Sequence, residues 1–552
     1  MRSCEHSDVK TSDQLAPEKL RGGFYSPSAL VSVCLNRISE LTQGRCELTV
    51  LEPSAGDGAF IRGLAGHALR DRVAHVVAVE LIDTEAAACD HALAESGIAG
   101  AVHTGSFFDP DIRSCATGFD VAVGNPPFLR YQFVSSADQA NIATLSDEMG
   151  VTLKRVSNLW IPLFLGALAK LKPGGSFAFI IPAECLTGIS AKVVRDWLIR
   201  TAETIQIDQF PVGSFPGVLQ EVVILSGRIG SDVRHEAKVT VFDHATGTSW
   251  MHAVDDSPTT WTSLLLSPHL LSAFEFARDA DGVSALGTVA RLSVATVTGA
   301  NEFFSLDDMG REEFGLTDWT RPLLARTRQA AGLQFTEADF EANRATGVPA
   351  WLFDASLGST EPSEATGPSE YIALGEASGL HERYKCRIRT PWYRVPVVRP
   401  GELMLSKRSH QYPRLIRNLG DVVTTDTIYQ GSMIGKYQGR SRDLVGSFHN
   451  SLTLLSAELY GRSFGGGVLE LVPSEIKALL VPLVDVSDIQ FGKLDTLVRT
   501  KGIDTPDLID QTDKLVSASH PQISSDVLVA AREARDFLMN RRLERNGGHS
   551  GE

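Results

Sequence analysis

Through the first half of the chain, short apolar runs recur between segments with helical spacing of their apolar residues. Five runs predict strands, at 48–52, 75–80, 119–124, 176–182 and 219–226. Apolar runs of this length, bounded by turn residues, suit strands buried on both faces. Their alternation with helical segments predicts a mostly parallel βα sheet between residues 21 and 245. Residues 1–20 are polar and read as a disordered tail. Residues 246–285 are polar, then helical, and read as a linker. From 286 to 485 the rhythm is lost and Gly and Pro punctuate the chain irregularly, which predicts a mixed α+β domain. Residues 486–552 read as a helical C-terminal region ending in a charged, Gly-containing tail.

Chemistry gathers where the predicted strands end, the edge at which open α/β sheets bind ligands. The first strand runs into Glu52-Pro53-Ser54-Ala55-Gly56-Asp57-Gly58. Small residues there let backbone approach a ligand closely, and Gly accepts the turn. The second strand ends on Glu80, placed to accept hydrogen bonds from ribose hydroxyls. This cradle fits NAD as well as S-adenosylmethionine, although the turn is not G-x-G-x-x-G. The third run, Phe119 to Gly124, leaves the sheet at Asn125-Pro126-Pro127-Phe128. The Asn125 side chain and the Pro126 carbonyl offer two acceptors on a stiff loop without competing proline N–H groups. A planar amino group has two hydrogens to match them, and Phe128 offers a face on which a ring can stack. Alone, the tetrapeptide could be an ordinary strand-ending turn.

In this order the motifs resemble those of amino-group DNA methyltransferases, specifically the gamma class of Taq-methylase-like adenine-N6 enzymes of Type II restriction-modification systems. The resemblance spans roughly residues 21–485. It implies a Rossmann-like S-adenosylmethionine-dependent methyltransferase domain over 21–245, followed by a DNA target-recognition domain over 286–485. Gly22-Gly23-Phe24-Tyr25-Ser26-Pro27 resembles the N-terminal cofactor motif, with Ser26 where Thr is commoner. The resemblance assigns Tyr25, Ser26, Pro27, Glu52, Ser54, Ala55, Gly56, Gly58, Glu80, Ser106, Phe107 and Asn125 to the cofactor. Ser106-Phe107 stands where the family usually has Asp-Phe against the cofactor's adenine, and Asp109 is a candidate to supply the missing carboxylate. Asn125, Pro126, Pro127 and Phe128 take the catalytic positions. Phe215-Pro216 resembles the motif whose aromatic residue, with Phe128, sandwiches a base flipped out of duplex DNA.

Composition changes the picture in one place. The 552 residues suggest two or three domains, and no long uncharged apolar stretch or N-terminal signal segment is present. A cytoplasmic protein is expected, without a membrane partner. Seven scattered cysteines show no metal-ligand spacing, so no metal is expected. The net charge of −15 suits DNA binding poorly, but a local basic stripe matters more than the total. From Arg383 to Arg417 the chain carries ten Lys or Arg against one acid, Glu402, interleaved with aromatic residues. Arg387, Arg389, Trp392, Tyr393, Arg394, Lys407 and Arg408 are the candidate DNA contacts; a solvated basic face is the bland alternative. Double-stranded DNA is the expected partner, the enzyme acting as a monomer, with any cognate restriction endonuclease a separate protein. A cytosine-C5 enzyme would need a Pro-Cys nucleophile, and the chain has no Pro-Cys dipeptide. Cytosine-N4 enzymes usually begin the tetrapeptide with Ser. A protein-glutamine or RNA adenine methyltransferase is the enzymatic alternative, and a non-catalytic DNA-binding subunit of a defence complex the other.

Overall fold

The computed structural model describes residues 26–544, apart from 115–117, 154–155, 189, 212–213, 215–220, 232–235, 256–259 and 465–466. The chain divides into two compact units, Met1–Pro268 and His269–Glu552.

The first unit is built on nine strands: β1 (Leu48–Glu52), β2 (Val73–Glu80), β3 (Gly100–Thr104), β4 (Phe119–Gly124), β5 (Leu171–Pro182), β6 (Ala202–Gln209), β7 (Val222–Ile229), β8 (Glu236–Asp243) and β9 (Thr248–Asp255). Their order is β3-β2-β1-β4-β5-β7-β6-β8-β9. The first five run parallel, and β7 lies antiparallel between β5 and β6. The architecture is a Rossmann-like α/β sheet. Strand order reverses between β1 and β4, and that switch point opens a crevice at the strands' carboxyl ends.

Five of the nine strands answer to the apolar runs. The others were hidden for physical reasons. Edge strand β3 is nowhere fully buried, so its sequence carries no apolar run. In β6 and β8 polar residues alternate with apolar ones. The segment read as a linker from 246 contains β9, which pairs along its whole length with β8, and the division between units falls later, at 268/269.

Helices cover the sheet. Helix α1 (Ser28–Leu41) buries Leu30, Val31, Cys34, Leu35, Ile38 and Leu41 along one face. Arg37 on the same helix reaches Asp208 of β6 with two hydrogen bonds of 3.0 and 2.7 Å. Helices α2 (Ala59–Ala65) and α3 (Asp83–Ser96) follow β1 and β2, and α4 (Ser136–Glu148) follows β4. Helix α5 (Trp160–Leu168) is buried on every side, and Phe164 meets Phe177 and Phe179 of β5 edge-on. At the opposite ends of the strands from the crevice, Asp120 accepts from Thr49, Arg45 and Lys172, at 2.6–3.1 Å. This carboxylate cross-braces β1, β4 and β5 and so fixes the register that places their far ends.

The second unit is mixed α+β. A five-stranded sheet takes the order Ala290–Val294, Ile428–Met433, Leu403–Ser406, Leu415–Asn418, Gln334–Phe335. A smaller sheet includes Thr320–Leu324 and Trp351–Phe353. Between them Phe303, Phe304, Phe353, Tyr371 and Trp392 form an aromatic core. Three helices, Asp488–Lys501, Pro506–Ser519 and Ser525–Glu544, close the unit. The last is anchored by Arg542, paired with Glu458 at 2.6 Å, both side chains under 5% exposed.

Candidate cofactor and catalytic site

The site begins where β1 turns into α2. Gly56 and Gly58 have φ of 55° and 86°, a left-handed backbone that side-chain-bearing residues rarely adopt. A Cβ on Gly58 would also stand 3.1 Å from the Ala92 side chain and 3.2 Å from the Cys89 backbone of α3. The loop is therefore wedged between sheet and helix. It is also tied down at two points. Ala55 N–H donates to the Val79 carbonyl at 2.9 Å, and Gly56 N–H donates to Glu80 Oε2 at 2.8 Å. The other Glu80 oxygen accepts from Ile82 N–H at 3.0 Å. Glu80 thus holds the cradle's shape, and two oxygens with about four lone-pair sites leave it capacity for a ribose diol.

The acids of the cradle differ in character. Glu52 is 2% exposed and sits over a small apolar cavity lined by Leu35, Ile38, Val50, Phe60 and Val76. Burial raises its carboxyl well above the ordinary range, with Glu80 and Asp57 adding to the shift. Glu52 is therefore enclosed where β1 meets the loop. The Ser54 hydroxyl is buried in the cradle without a hydrogen-bond partner, a polar atom suited to a ligand's polar group. Beside Glu80 stands Leu81, 64% exposed. Sequence reading passed it over because a Leu after a strand is unremarkable until its exposure is seen.

Phe107 is 5% exposed and packs toward Gly166 of α5, so its ring is a wall behind the site and not an open face. Asp109, the candidate for the missing carboxylate contact, accepts from Asp111 N–H through one oxygen at 2.9 Å, at the start of the next short helix. The Ser106 hydroxyl donates to Asp138 Oδ1 of α4 at 2.5 Å.

β4 delivers the tetrapeptide. Asn125 Nδ2 donates to Ser26 Oγ at 3.2 Å, which orients the amide and joins the target loop to the segment before α1. Pro126 is buried, Pro127 and Phe128 half-buried, and Phe128 packs against the sheet core. The loop beyond is pinned. Leu129 carbonyl accepts from Leu159 N–H at 2.8 Å, and Tyr131 N–H donates to the Ser157 carbonyl at 3.0 Å. Ser26, Pro27, the β1 loop, Glu80 and Asn125 all belong to this first unit, at one edge of one sheet. Tyr25 and Phe215, assigned to cofactor and base, lie outside the described residues.

These features fit S-adenosylmethionine: an acid for the ribose, tight glycines, an orphaned hydroxyl and an exposed aliphatic surface beside them. Comparison with known proteins decides the matter. Residues 81–215 match the Eco57I restriction-modification methylase family, and residues 258–517 match the C-terminal domain of the Type II methyltransferase M.Eco57I. Together these matches support a Type II restriction-modification DNA methyltransferase. Its cofactor is S-adenosylmethionine. Among its relatives is the Type II methyltransferase M.XamI of Xanthomonas campestris pv. amaranthicola, 24% identical over 84% of this chain and 85% of that protein. Another is the Type II methyltransferase M.AccI of Acinetobacter calcoaceticus, 22% identical over 66% of this chain and 69% of that one. A solved complex of the Type IIL restriction-modification enzyme MmeI with DNA aligns over 97% of this methyltransferase and 73% of its own chain, at 12% identity and a TM-score of 0.49.

In the second unit the basic stripe of the methyltransferase separates into two kinds of residue. Arg389 donates to the carbonyls of Thr298 and Val297. Trp392 is 8% exposed within the aromatic core, its Nε1 donating to Glu376 at 3.1 Å. Tyr393 packs partly against that core. Arg394 pairs with Glu361 at 3.0 Å, and Lys407 and Arg408 both face Glu470, at 3.7 and 3.1 Å. Arg414 donates to three backbone carbonyls. Arg389, Trp392 and Arg414 therefore hold the fold. Arg383, Tyr384, Lys385, Arg387 and Ile388 are exposed. Lys385 and Arg387 each place their charge 5.7 Å from the Tyr384 ring. No described helix is long and apolar enough to cross a membrane, and no cluster of metal-binding side chains occurs among the described residues.

Proposed function

We propose that this methyltransferase modifies the N6 amino group of an adenine flipped out of duplex DNA at a specific sequence. The hydrogen bond from Asn125 to Ser26 carries the reading, because it holds the target loop and the cofactor segment in one rigid frame. The Asn125 oxygen and the Pro126 carbonyl accept the two amino hydrogens. Drawing them into the loop plane turns the nitrogen's lone pair out of conjugation with the ring. Phe128 supports the base by stacking. When bound, S-adenosylmethionine supplies a sulfonium methyl; as the nitrogen's lone pair takes it, the C–S bond breaks to a neutral thioether, and the cationic methylated nitrogen then releases one proton to solvent, so alignment matters more than a strong base. Proximity and orientation of this kind can contribute several kcal/mol, on the order of 7–11 at best. Unstacking the base costs a few kcal/mol, which stacking on Phe128 and Phe215 partly offsets.

The second unit serves as the target-recognition domain. The exposed group around Tyr384 is the candidate surface, with the cations meeting phosphates and a ring for stacking. The enzyme acts as a cytoplasmic monomer beside a separate cognate endonuclease and needs no metal.

Purified protein, S-adenosylmethionine and duplex DNA test the reading together. Digested DNA should contain N6-methyladenine, and Asn125→Ala should abolish transfer while cofactor affinity survives. N4- or C5-methylcytosine in the digest would overturn it, as would methylation of RNA or protein alone.

A further inference from the structure

The family that the chain resembles sets a carboxylate at the end of β3, and this chain has the uncharged Ser106 there. We infer that Asp138, held in place by Ser106, accepts the exocyclic amino group of the cofactor's adenine. The inference rests on the methyltransferase reading and on Glu80 taking the ribose.

Topology brings the two residues to the right place. In the parallel pairing of β2 and β3, Glu80 lies opposite Thr104, and the Glu80 carbonyl accepts from Gly105 N–H at 2.8 Å. Ser106 is the next residue. The end of β3 adjoins Glu80 on the side away from β1 and the switch point, so a base joined to a ribose at Glu80 would have β3's end within its reach. The aliphatic Leu81 side chain lies exposed beside that path, and the buried Phe107 backs it. Neither is polar, so the amino edge of the base must find its acceptor nearby.

Asp138 supplies one from a different element. It sits in the first turn of α4, half-buried, with its Oδ1 accepting from Ser106 and its Oδ2 accepting from Ser135 Oγ at 2.9 Å. Ser106 also accepts from Phe108 N–H at 3.2 Å, which fixes the hydroxyl and turns its proton toward Asp138. Each carboxylate oxygen keeps a second lone-pair site. Asp138 therefore presents an oriented anion at the end of β3, where a directly placed Asp at 106 would otherwise stand. Asp138 also closes the α4 cap, since its N–H donates to Ser135 Oγ at 3.0 Å. A cap needs only Ser135 and does not need Ser106, so the two roles separate by mutation.

The experiment is calorimetric binding of S-adenosylhomocysteine and of its inosine counterpart, in which a carbonyl replaces the amino group. The full-length wild-type chain should prefer the amino ligand by about tenfold or more, the worth of one charge-assisted hydrogen bond. Asp138→Ala should bind the amino ligand correspondingly more weakly and lose the preference. Ser106→Asp in the Asp138→Ala background should restore it. Ser135→Ala, which also removes the donor to Asp138 Oδ2, should lower the melting temperature through loss of the cap, while Ser106 keeps part of the preference. A preference unchanged in Asp138→Ala would refute the assignment, and so would its failure to return when Ser106→Asp is added to Asp138→Ala. Failure of wild type to bind either ligand would instead overturn the methyltransferase reading, and this inference with it.

Discussion

Replacing Glu80 tests the cradle at its most connected point. The carboxylate accepts from Gly56 and Ile82 at 2.8 and 3.0 Å and is 9% exposed. Glu80→Ala removes two things at once, the acceptor for the ribose and the tie that keeps Gly56 in its left-handed turn. A hydrogen bond to a charged group is worth about 1.5–3 kcal/mol. Without the ribose hydrogen bond, binding should weaken by about 10- to 150-fold. The two backbone amides also lose their acceptor. Gly56 is half-exposed and can turn to water, so the stability cost should stay near the low end, about 1.5 kcal/mol. Glu80→Gln keeps a neutral acceptor oxygen and should fall between the two on both counts. Calorimetry with S-adenosylhomocysteine reads the first quantity, and thermal melting of the ligand-free protein reads the second. Wild-type affinity in Glu80→Ala would show that the ribose does not lie at the end of β2. An unchanged melting temperature as well would show that the carboxylate holds nothing.

The buried carboxyl of Glu52 gives a pH signature. Its folded pKa lies above the unfolded value, so its contribution is full below the unfolded carboxyl range and is lost as pH rises through the folded value. Glu52→Gln should match wild type in acid and melt higher than wild type toward neutral and alkaline pH; parallel melting curves at every pH would refute this. At the C-terminus, Arg542→Ala leaves the buried Glu458 without its cation. That should cost about 3–5 kcal/mol, read by chemical denaturation, and a cost below about 1 kcal/mol, the range of an exposed pair, would show the pair to be ornamental. For DNA, Arg387→Ala with Lys385→Ala should weaken binding to all sequences alike and reduce the salt slope by about one unit for each phosphate no longer neutralised. Arg389→Ala should instead lower stability, because its guanidinium serves backbone carbonyls. The reverse pattern in an affinity and melting comparison would return Arg389 to the DNA surface.

The parts of this fold that could be read in advance are those whose environment is the same on both faces. β1, β4 and β5 are buried on both sides at their carboxyl halves, and burial on two faces writes an uninterrupted apolar run. Strand β6 carries Glu203, Gln206 and Asp208 among its apolar residues, and Asp208 is buried only because Arg37 and His244 reach it, at 2.7–3.0 Å. Nothing local announces such a partner. The same limit explains the basic stripe. Arg389 and Arg387 are two residues apart and chemically identical, yet one donates inward to Thr298 while the other lies exposed beside Tyr384. Their fates differ through a segment 91 positions away, where the Thr298 carbonyl waits for one guanidinium and not the other.

The cradle divides along the same line. Its glycines, Glu80 and Asn125 are each placed by the strand that precedes them, so sequence position specifies spatial position closely. Ser106 is placed equally well, but its partner is not. Along the chain the nearest following carboxylate is Asp109, three residues on, whereas the structure supplies Asp138, 32 residues away on a separate helix. Asp109 instead accepts from Asp111 N–H at the start of the short helix that follows it. A strand-end position can thus trade its own charge for a hydroxyl when a neighbouring helix lends the charge. The lent carboxylate then depends on where α4 sits. On the assignment of Asp138 to the cofactor's base, the segment after Phe128 contributes to the cofactor site as well as following the target loop.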